Sequence, residues 1–113
     1  MNRNFKKQLA AIFNETNQDI FNTGVHNQKI EIVGNKVLIM ASTKRMPALD
    51  ALGDQYAGLV LSMDAAVSVK YKQLLKEKIE HELDLKITSL FRDYEPDIGS
   101  SCTVICFEKL IVE

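Results

Sequence analysis

The side chains best suited to bind a ligand in this sequence are two arginines and the residues that follow one of them. Arginine is scarce, with three in the chain, and Arg45 and Arg92 both lie where a predicted strand gives way to a loop. Such boundaries often carry ligand contacts, and a guanidinium can hold a carboxylate or another small anion through paired hydrogen bonds. The candidate ligand-binding or interaction residues are therefore Arg45, Arg92, Asp93 and Tyr94. The alternative is that an arginine pairs with Asp93, with Asp97 or with a helix C-terminus and only fixes a loop.

Two other pairs of residues could in principle carry chemistry. Glu77 and His81 lie one helical turn apart, which would supply half of a metal site, but His26 is the only other histidine and has no suitable spacing. Cys102 or Cys106 beside a histidine would form a nucleophile and its base, yet a buried strand cysteine without positive charges around it is inert. The sequence also contains none of the common phosphate-loop, zinc-protease or serine-hydrolase motifs. We therefore expect no enzymatic activity, no metal and no cofactor.

The two cysteines are not expected to form a disulfide with each other. Cys102 and Cys106 are four positions apart in a predicted strand. At ~3.3 Å per residue their Cα atoms lie ~13 Å apart, well beyond the ~7 Å limit for a disulfide. We expect both thiols to be reduced and buried, where they would act as small hydrophobic side chains.

The composition is that of an ordinary globular domain. The 113 residues are 46% hydrophobic and 26% charged, and this length is typical of a single domain, residues 1–113. The net charge is −1 because 14 basic residues are interleaved with 15 acidic ones. Nucleic-acid binding depends on a basic surface, so the charge pattern argues against a nucleic-acid partner.

Nothing in the sequence predicts a membrane-spanning or secreted chain. No apolar run approaches the ~20 residues that a spanning helix needs. The basic residues near Met1 are not followed by the apolar core of a signal peptide. We expect a cytoplasmic protein without direct membrane insertion.

Residues 3–22 show the spacing of an amphipathic helix. Side chains that suit a core recur every three or four positions. These are Phe5, Leu9, Ile12, Phe13, Thr16 and Ile20. Gly24 is predicted to end the helix in the left-handed conformation. The apolar face could instead lie on a membrane surface, but Glu15 and Asp19 weaken the positive charge of the polar side and favour packing on the domain's own core.

A β-hairpin is predicted after this helix. Residues 29–33 and 36–41 flank a two-residue Gly-Asn turn, a combination typical of tight hairpins. This loop length pairs Ile32 with Val37 on one face. The second strand of the hairpin is apolar on both faces, whereas the first is mixed and resembles an edge strand.

Residues 86–94 and 102–110 are predicted to form a second hairpin. Of its strands, the one at 102–110 is apolar on both faces, like the strand at 36–41. Doubly apolar strands belong in the middle of a sheet, which gives the antiparallel order 1-2-4-3. With helices on one face, the central strands need a cover on the other. Either a homodimer or the N-terminal helix could supply that cover.

Between the hairpins we predict two helices. Pro47 suits the first turn of a short one, which is followed by irregular chain to Met63. The longer helix covers residues 64–83, with Asp64 as its N-cap and its charged residues on a solvated face. Its buried stripe is Tyr71, Leu74, Leu75, Ile79 and Leu83. The resulting order is α-β-β-α-α-β-β, an α+β fold with a four-stranded antiparallel sheet packed against helices.

Three stretches of the chain together resemble the MpsC-like family. They are residues 44–52 (Lys-Arg-Met-Pro-Ala-Leu-Asp-Ala-Leu), the lysine-rich helix that runs to Glu82, and residues 92–97 (Arg-Asp-Tyr-Glu-Pro-Asp) before the last strand. The likeness extends from about Phe5 to Leu110. The family is named for the small third component of a sodium-translocating, membrane-potential-generating system. The larger companions of that component resemble a proton-pumping antiporter subunit and a cytoplasmic zinc protein linked to inorganic-carbon uptake.

The resemblance implies a function that is not enzymatic. It predicts a cytoplasmic accessory or regulatory component of a cation-translocating or inorganic-carbon uptake system. Such a protein would act by protein–protein contacts with membrane transporter subunits, and the family offers no catalytic residues. The alternative is a free-standing regulatory domain that binds a small anion through Arg45 and Arg92.

Overall fold

The computed structural model describes residues 4–42, 49, 51–95 and 98–112. In chain order its elements are α1 (Phe5–Phe21), β1 (His26–Val33), β2 (Lys36–Ser42), a 3-10 helix (Asp54–Tyr56), α2 (Ala57–Leu83), β3 (Ile87–Glu95) and β4 (Ser100–Phe107). The strands form one antiparallel sheet in the order β1-β2-β4-β3, and the helices pack against it. The predicted α+β fold and the strand order are therefore confirmed. The short helix predicted to start at Pro47 falls mostly on residues outside the described ranges.

The first hairpin has the predicted register, with Ile30 opposite Ile39 and Ile32 opposite Val37. Gly34 takes the left-handed conformation in the turn, at φ 65°. β4 ends at Phe107, three residues before the predicted end at Leu110, because the chain then turns toward this hairpin. There the Ile111 N–H donates to the Gly34 carbonyl at 3.1 Å.

The hydrophobic core lies between the helices and one face of the sheet. Its buried side chains are Phe5, Leu9, Ile12 and Phe13 from α1, Tyr71, Leu75 and Ile79 from α2, and Val37, Ile39, Ala41, Ile87, Ile105 and Phe107 from the strands. Since both helices share this face, the alternative in which the N-terminal helix covers the opposite face is wrong. We call the face that carries the helices the inner face and the opposite one the outer face.

α1 ends two residues earlier than the glycine that was predicted to stop it. Asn22 takes the left-handed conformation at φ 57°, and its N–H donates to the Gln18 carbonyl at 2.9 Å. Gly24 serves a different purpose, because a Cβ there would lie 2.7 Å from Asn14 Oδ1. That oxygen accepts a hydrogen bond from the Val25 N–H at 3.0 Å, so a side chain at position 24 would disturb the contact that ties α1 to the following strand.

α2 begins at Ala57, seven residues before the predicted start, so the expectation of irregular chain up to Met63 is wrong. Ala, Leu and Met are strong helix formers, and they dominate residues 57–63. The one glycine there, Gly58, lies in the first turn, and Asp64 lies inside the helix instead of capping it. The predicted buried stripe is confirmed at three of its five positions. Tyr71, Leu75 and Ile79 are buried, while Leu74 and Leu83 are half-buried.

Candidate functional site

Arg92 lies inside β3 and is stacked among aromatic rings. Its guanidinium carbon is 4.3 Å from the ring centroid of Tyr71, 5.5 Å from that of Tyr94 and 5.8 Å from that of Phe21. Each distance is within the ~6 Å over which a cation is attracted to an aromatic face. A cation held in this way stabilises the contact between β3, α1 and α2. Arg92 lies three residues before the end of β3, near the predicted boundary between strand and loop, but its guanidinium packs on the inner face.

The alternation of half-buried and exposed side chains along β3 accounts for this arrangement. Leu90, Arg92 and Tyr94 are half-buried, whereas Phe91 and Asp93 are exposed. Successive side chains of a strand point to opposite faces, so Arg92 and Tyr94 share the inner face and Asp93 lies on the outer face. The predicted alternative of an Arg92–Asp93 pair does not fit this geometry. Asp93 Oδ1 instead accepts a hydrogen bond from the Tyr94 N–H at 2.9 Å.

Tyr71 is the buried centre of this cluster. Its hydroxyl accepts a hydrogen bond from Asn17 Nδ2, and the same amide group donates to the Phe13 carbonyl at 2.8 Å. Burial raises the pKa of Tyr71 well above its ordinary value of 10.0, although Arg92 and the bond from Asn17 act in the opposite direction. The phenol is therefore neutral at physiological pH, and the face of its ring provides the main contact to the guanidinium.

Part of the hydrogen-bonding capacity in this cluster is unused within the described residues. Arg92 Nε and Nη2 are shielded from solvent and have no hydrogen-bond partner, and the same holds for Thr103 Oγ1 and Asn17 Oδ1. Arg92 and Thr103 are directly opposite each other in the register of β3 and β4. Burial lowers the pKa of Arg92, against the influence of Tyr71, Tyr94 and nearby carboxylates. Unpaired buried donors are costly, so this edge of the guanidinium is a candidate anion contact.

Of the three predicted site residues that the structure describes, it brings two together. Arg92 and Tyr94 are neighbours, Asp93 faces the other way, and Arg45 lies outside the described residues. Sequence reasoning missed the polar side chains Asn17 and Thr103 as members of the site.

A signal for one of these missed residues was present in α1. Phe13, Asn17 and Phe21 are spaced by four on the face that packs on the core. An amide between two aromatic residues on an apolar face needs a buried hydrogen-bond partner, and Tyr71 supplies it.

The remaining candidates for chemistry are not assembled into a site. Glu77 and His81 are both exposed. Cys102 is exposed and Cys106 half-buried, so the expectation that both are buried is wrong, and both are free thiols. Within the described ranges, no three His, Cys, Asp or Glu side chains are grouped so that they could hold a metal ion.

The second unusual region is the N-terminal part of α2, residues 57–69, which we call the apolar segment. Asp64 is its only charged residue. Leu61 is 72% exposed and Val69 63% exposed, and Leu59 and Met63 are exposed as well. A helix that is apolar around most of its circumference is normally enclosed by other protein or by lipid. The fold leaves this one largely open.

Comparison of the chain with protein-family models, with curated proteins and with solved structures found no match. The resemblance to the MpsC-like family therefore stays a prediction. In the part of the chain that the structure describes, no helix is both long enough and apolar enough to cross a membrane.

Proposed function

We propose that this chain is a non-enzymatic accessory or regulatory component of a membrane cation-translocating or inorganic-carbon uptake system, and that it acts through protein–protein contacts. The identity of the system comes from the family resemblance. The observation that carries the mode of action is the apolar segment, residues 57–69, whose exposed side chains the fold does not use. The protein would be held at the cytoplasmic side of the membrane by its partner.

The apolar segment has the properties of a helix that docks into another protein. At ~1.5 Å per residue it is about 20 Å long, which is enough to fill a groove with anchors one turn apart. Leu59 and Met63 are spaced by four and share one side of the helix, whereas Leu61, two positions from each, lies on the opposite side. Each large apolar side chain buried on binding contributes about 1.5–3 kcal/mol before the entropy of association is subtracted. We expect the partner surface to be an apolar groove with few charges.

The test is co-purification with the transporter subunits expressed beside this protein. A variant with Leu59→Ser, Leu61→Ser and Val69→Ser removes the three most exposed large apolar side chains of the segment. The matched control, Lys70→Ser, Gln73→Ser and Lys76→Ser, changes three exposed residues of the same helix. We expect the control to retain a membrane subunit and the apolar variant to lose it at least about tenfold, a difference of ~1.4 kcal/mol.

Two results would contradict this function. One is a wild-type protein that never retains any of the co-expressed subunits. The other is wild-type protein that floats with protein-free lipid vesicles through the same three side chains, since that would make the apolar segment a lipid-binding surface. Circular dichroism of each variant establishes that it is folded before binding is compared.

A second candidate function is the binding of a small anion at Arg92. The observation that favours it is the unpaired Nε and Nη2 pair. These two nitrogens lie on one edge of a guanidinium, the edge that commonly holds a carboxylate with two parallel hydrogen bonds. The Thr103 hydroxyl, on the adjacent strand, could donate a third bond. Tyr94 is half-buried beside the guanidinium, so its side chain would have to move to admit a ligand.

Calorimetry with bicarbonate, acetate and phosphate tests this candidate. Arg92→Lys retains the positive charge but removes the planar pair of donors. We expect heat of binding from one of these anions with the wild-type protein and none with Arg92→Lys. No heat from any of the three anions, or the same affinity in both proteins, would eliminate anion binding at Arg92 and leave the proposed protein contacts unaffected.

A further inference from the structure

The outer face of the sheet carries mostly apolar side chains on its central strands and charges at its edges, with Lys36 on β2 and Phe91 on β3 as the exceptions. The strand register places its side chains in rows that run across β1, β2, β4 and β3. One row is Lys29, Met40, Cys102 and Asp93, and the next is Glu31, Leu38, Val104 and Phe91. Phe91 is 59% exposed although it is a large aromatic residue. Such a face on a monomer indicates an interaction surface.

The two edges of the first row carry opposite charges. Lys29 lies on β1 at one edge, and Asp93 lies on β3 at the other. Between them the central strands contribute Met40 and Cys102. The face is therefore complementary to a copy of itself that has been turned so that opposite edges meet.

We propose that the outer face binds the outer face of a second copy of this chain, with a two-fold axis parallel to the strands. A rotation about that axis places β1 of one copy over β3 of the other. It also places each row of side chains over the corresponding row of the other copy. Lys29 then meets the partner's Asp93 at both edges of the interface. In the middle, Met40 meets the partner's Cys102. This is a closed, self-complementary dimer.

A two-fold axis perpendicular to the strands fits the charges less well. That rotation would place β1 over β1 and β3 over β3, so Asp93 would face the partner's β3. The residues that β3 presents on this face next to Asp93 are Phe91 and Glu95, and neither is a cation. Lys29 would meet the partner's β1; the contact of Lys29 with Glu31 of its own chain, at 3.5 Å, is present with either axis and does not distinguish them. Only the parallel axis brings Asp93 to a cation.

The size of the face predicts a reversible dimer. A third row consists of Val33, Lys36, Cys106 and Ser89. Four strands ~4.8 Å apart and three rows ~7 Å apart give a flat area of about 400 Å² per copy. A standard stable interface buries about 800 Å² per partner, so we expect dissociation at low protein concentration. Stacked sheets lie ~10 Å apart, farther than the ~7 Å Cα separation that a disulfide allows. Cys102 therefore stays a free thiol that reports on whether the face is covered.

Sedimentation velocity at low salt over a range of protein concentrations tests the dimer. Lys29→Glu and Asp93→Lys each place like charges at both edges, and we expect each variant to weaken dimerisation about tenfold or more. An equal mixture of the two variants pairs Glu at position 29 of one copy with Lys at position 93 of the other. We expect this mixture to dimerise as well as the wild-type protein. Lys109→Glu, an exposed change outside the sheet, is the control that leaves dimerisation unaltered.

Alkylation of Cys102 gives an independent measurement. We expect labelling of the wild-type thiol to slow down as protein concentration rises and to stay fast in either charge variant. A protein that remains monomeric up to millimolar concentration would overturn the dimer. If the charge variants weaken dimerisation but mixing them does not restore it, the proposed direction of the two-fold axis is wrong. Neither result bears on the apolar segment of α2, because the inference rests on the outer face alone.

Discussion

α2 is one continuous helix, but its two parts differ in how far their large apolar side chains are exposed to water. In residues 70–83, which we call the core segment, seven charged residues surround the buried stripe of Tyr71, Leu75 and Ile79. In the apolar segment, residues 57–69, there is one charged residue, and among its large side chains only Val60 is buried. The core segment therefore contributes to folding through burial. The apolar segment has side chains of the same chemical type, but apart from Val60 the fold leaves its large side chains at least partly exposed.

The largest predicted difference is between two leucines of the two segments. Leu75→Ala removes a fully buried side chain, and we expect it to lower the free energy of unfolding by about 2–5 kcal/mol. Leu61→Ala changes a side chain that is 72% exposed, and we expect a change within about 0.5 kcal/mol. Urea unfolding of both variants measures the difference. Equal losses at the two positions would mean that the apolar segment is part of the folding core.

The buried amide that anchors the core segment should be the next most sensitive position. Asn17→Ala leaves the Tyr71 hydroxyl buried without the hydrogen bond from Asn17, a loss that we expect to cost about 1–3 kcal/mol. Tyr71→Phe should cost less, since Asn17 Nδ2 retains its bond to the Phe13 carbonyl. Thermal unfolding of both variants and of the double variant tests this order. If Tyr71→Phe were the more damaging change, the hydroxyl would have a partner other than Asn17.

The pH dependence of stability should also originate in the core segment. Burial raises the pKa of Tyr71 in the folded protein above the unfolded value of 10.0. The folded state therefore retains a proton that the unfolded state loses, so stability is constant below about pH 10 and falls as the pH rises further. Tyr71→Phe should flatten this alkaline decline, as measured by urea unfolding between pH 8 and about 11. If stability declined as steeply in Tyr71→Phe as in the wild-type protein, other groups, such as the lysines, would be its cause.

The smallest predicted effect concerns the ion pairs that join α1 to the core segment. Lys78 contacts Glu15, and its Nζ lies 3.1 Å from Asp19 Oδ2. The bond to Glu15 is the main reason that the pKa of Lys78 is raised. Lys78→Met should cost less than about 1 kcal/mol, and added salt should reduce the difference from the wild-type protein. A larger loss that salt does not change would indicate that the aliphatic part of Lys78 matters more than its charge.

Much of the fold follows from local patterns in the sequence. The Gly-Asn turn and the alternation around it determine the register of the first hairpin, and the doubly apolar strands determine the sheet order. The start of α2 was missed because Asp64 resembles an N-cap, while the helix-forming residues before it continue the helix to Ala57. An N-cap pattern is a weak signal where good helix formers lie on both sides.

The candidate site was harder to predict because it depends on side-chain direction across several elements. Arg92 was recognised as unusual, but its position on the inner face follows from the pairing of β3 with β4. The exposure of Cys102 was missed for a related reason. An apolar strand residue is buried only if its face is covered, and here both helices cover the other face. Sequence patterns show that a face is apolar, and they do not show whether the same chain covers it.

The most direct test of the difference between the two segments is photo-cross-linking along α2 in cells that also express the membrane subunits of the proposed transport system. A photoreactive amino acid replaces Leu61 in one protein and Lys76 in another; both positions are exposed and both lie on the same helix. We predict that position 61 cross-links to a membrane transporter subunit and that position 76 does not. Equal cross-linking at the two positions, or adducts at position 61 that contain only lipid or further copies of this chain, would contradict the assignment of the apolar segment to partner binding.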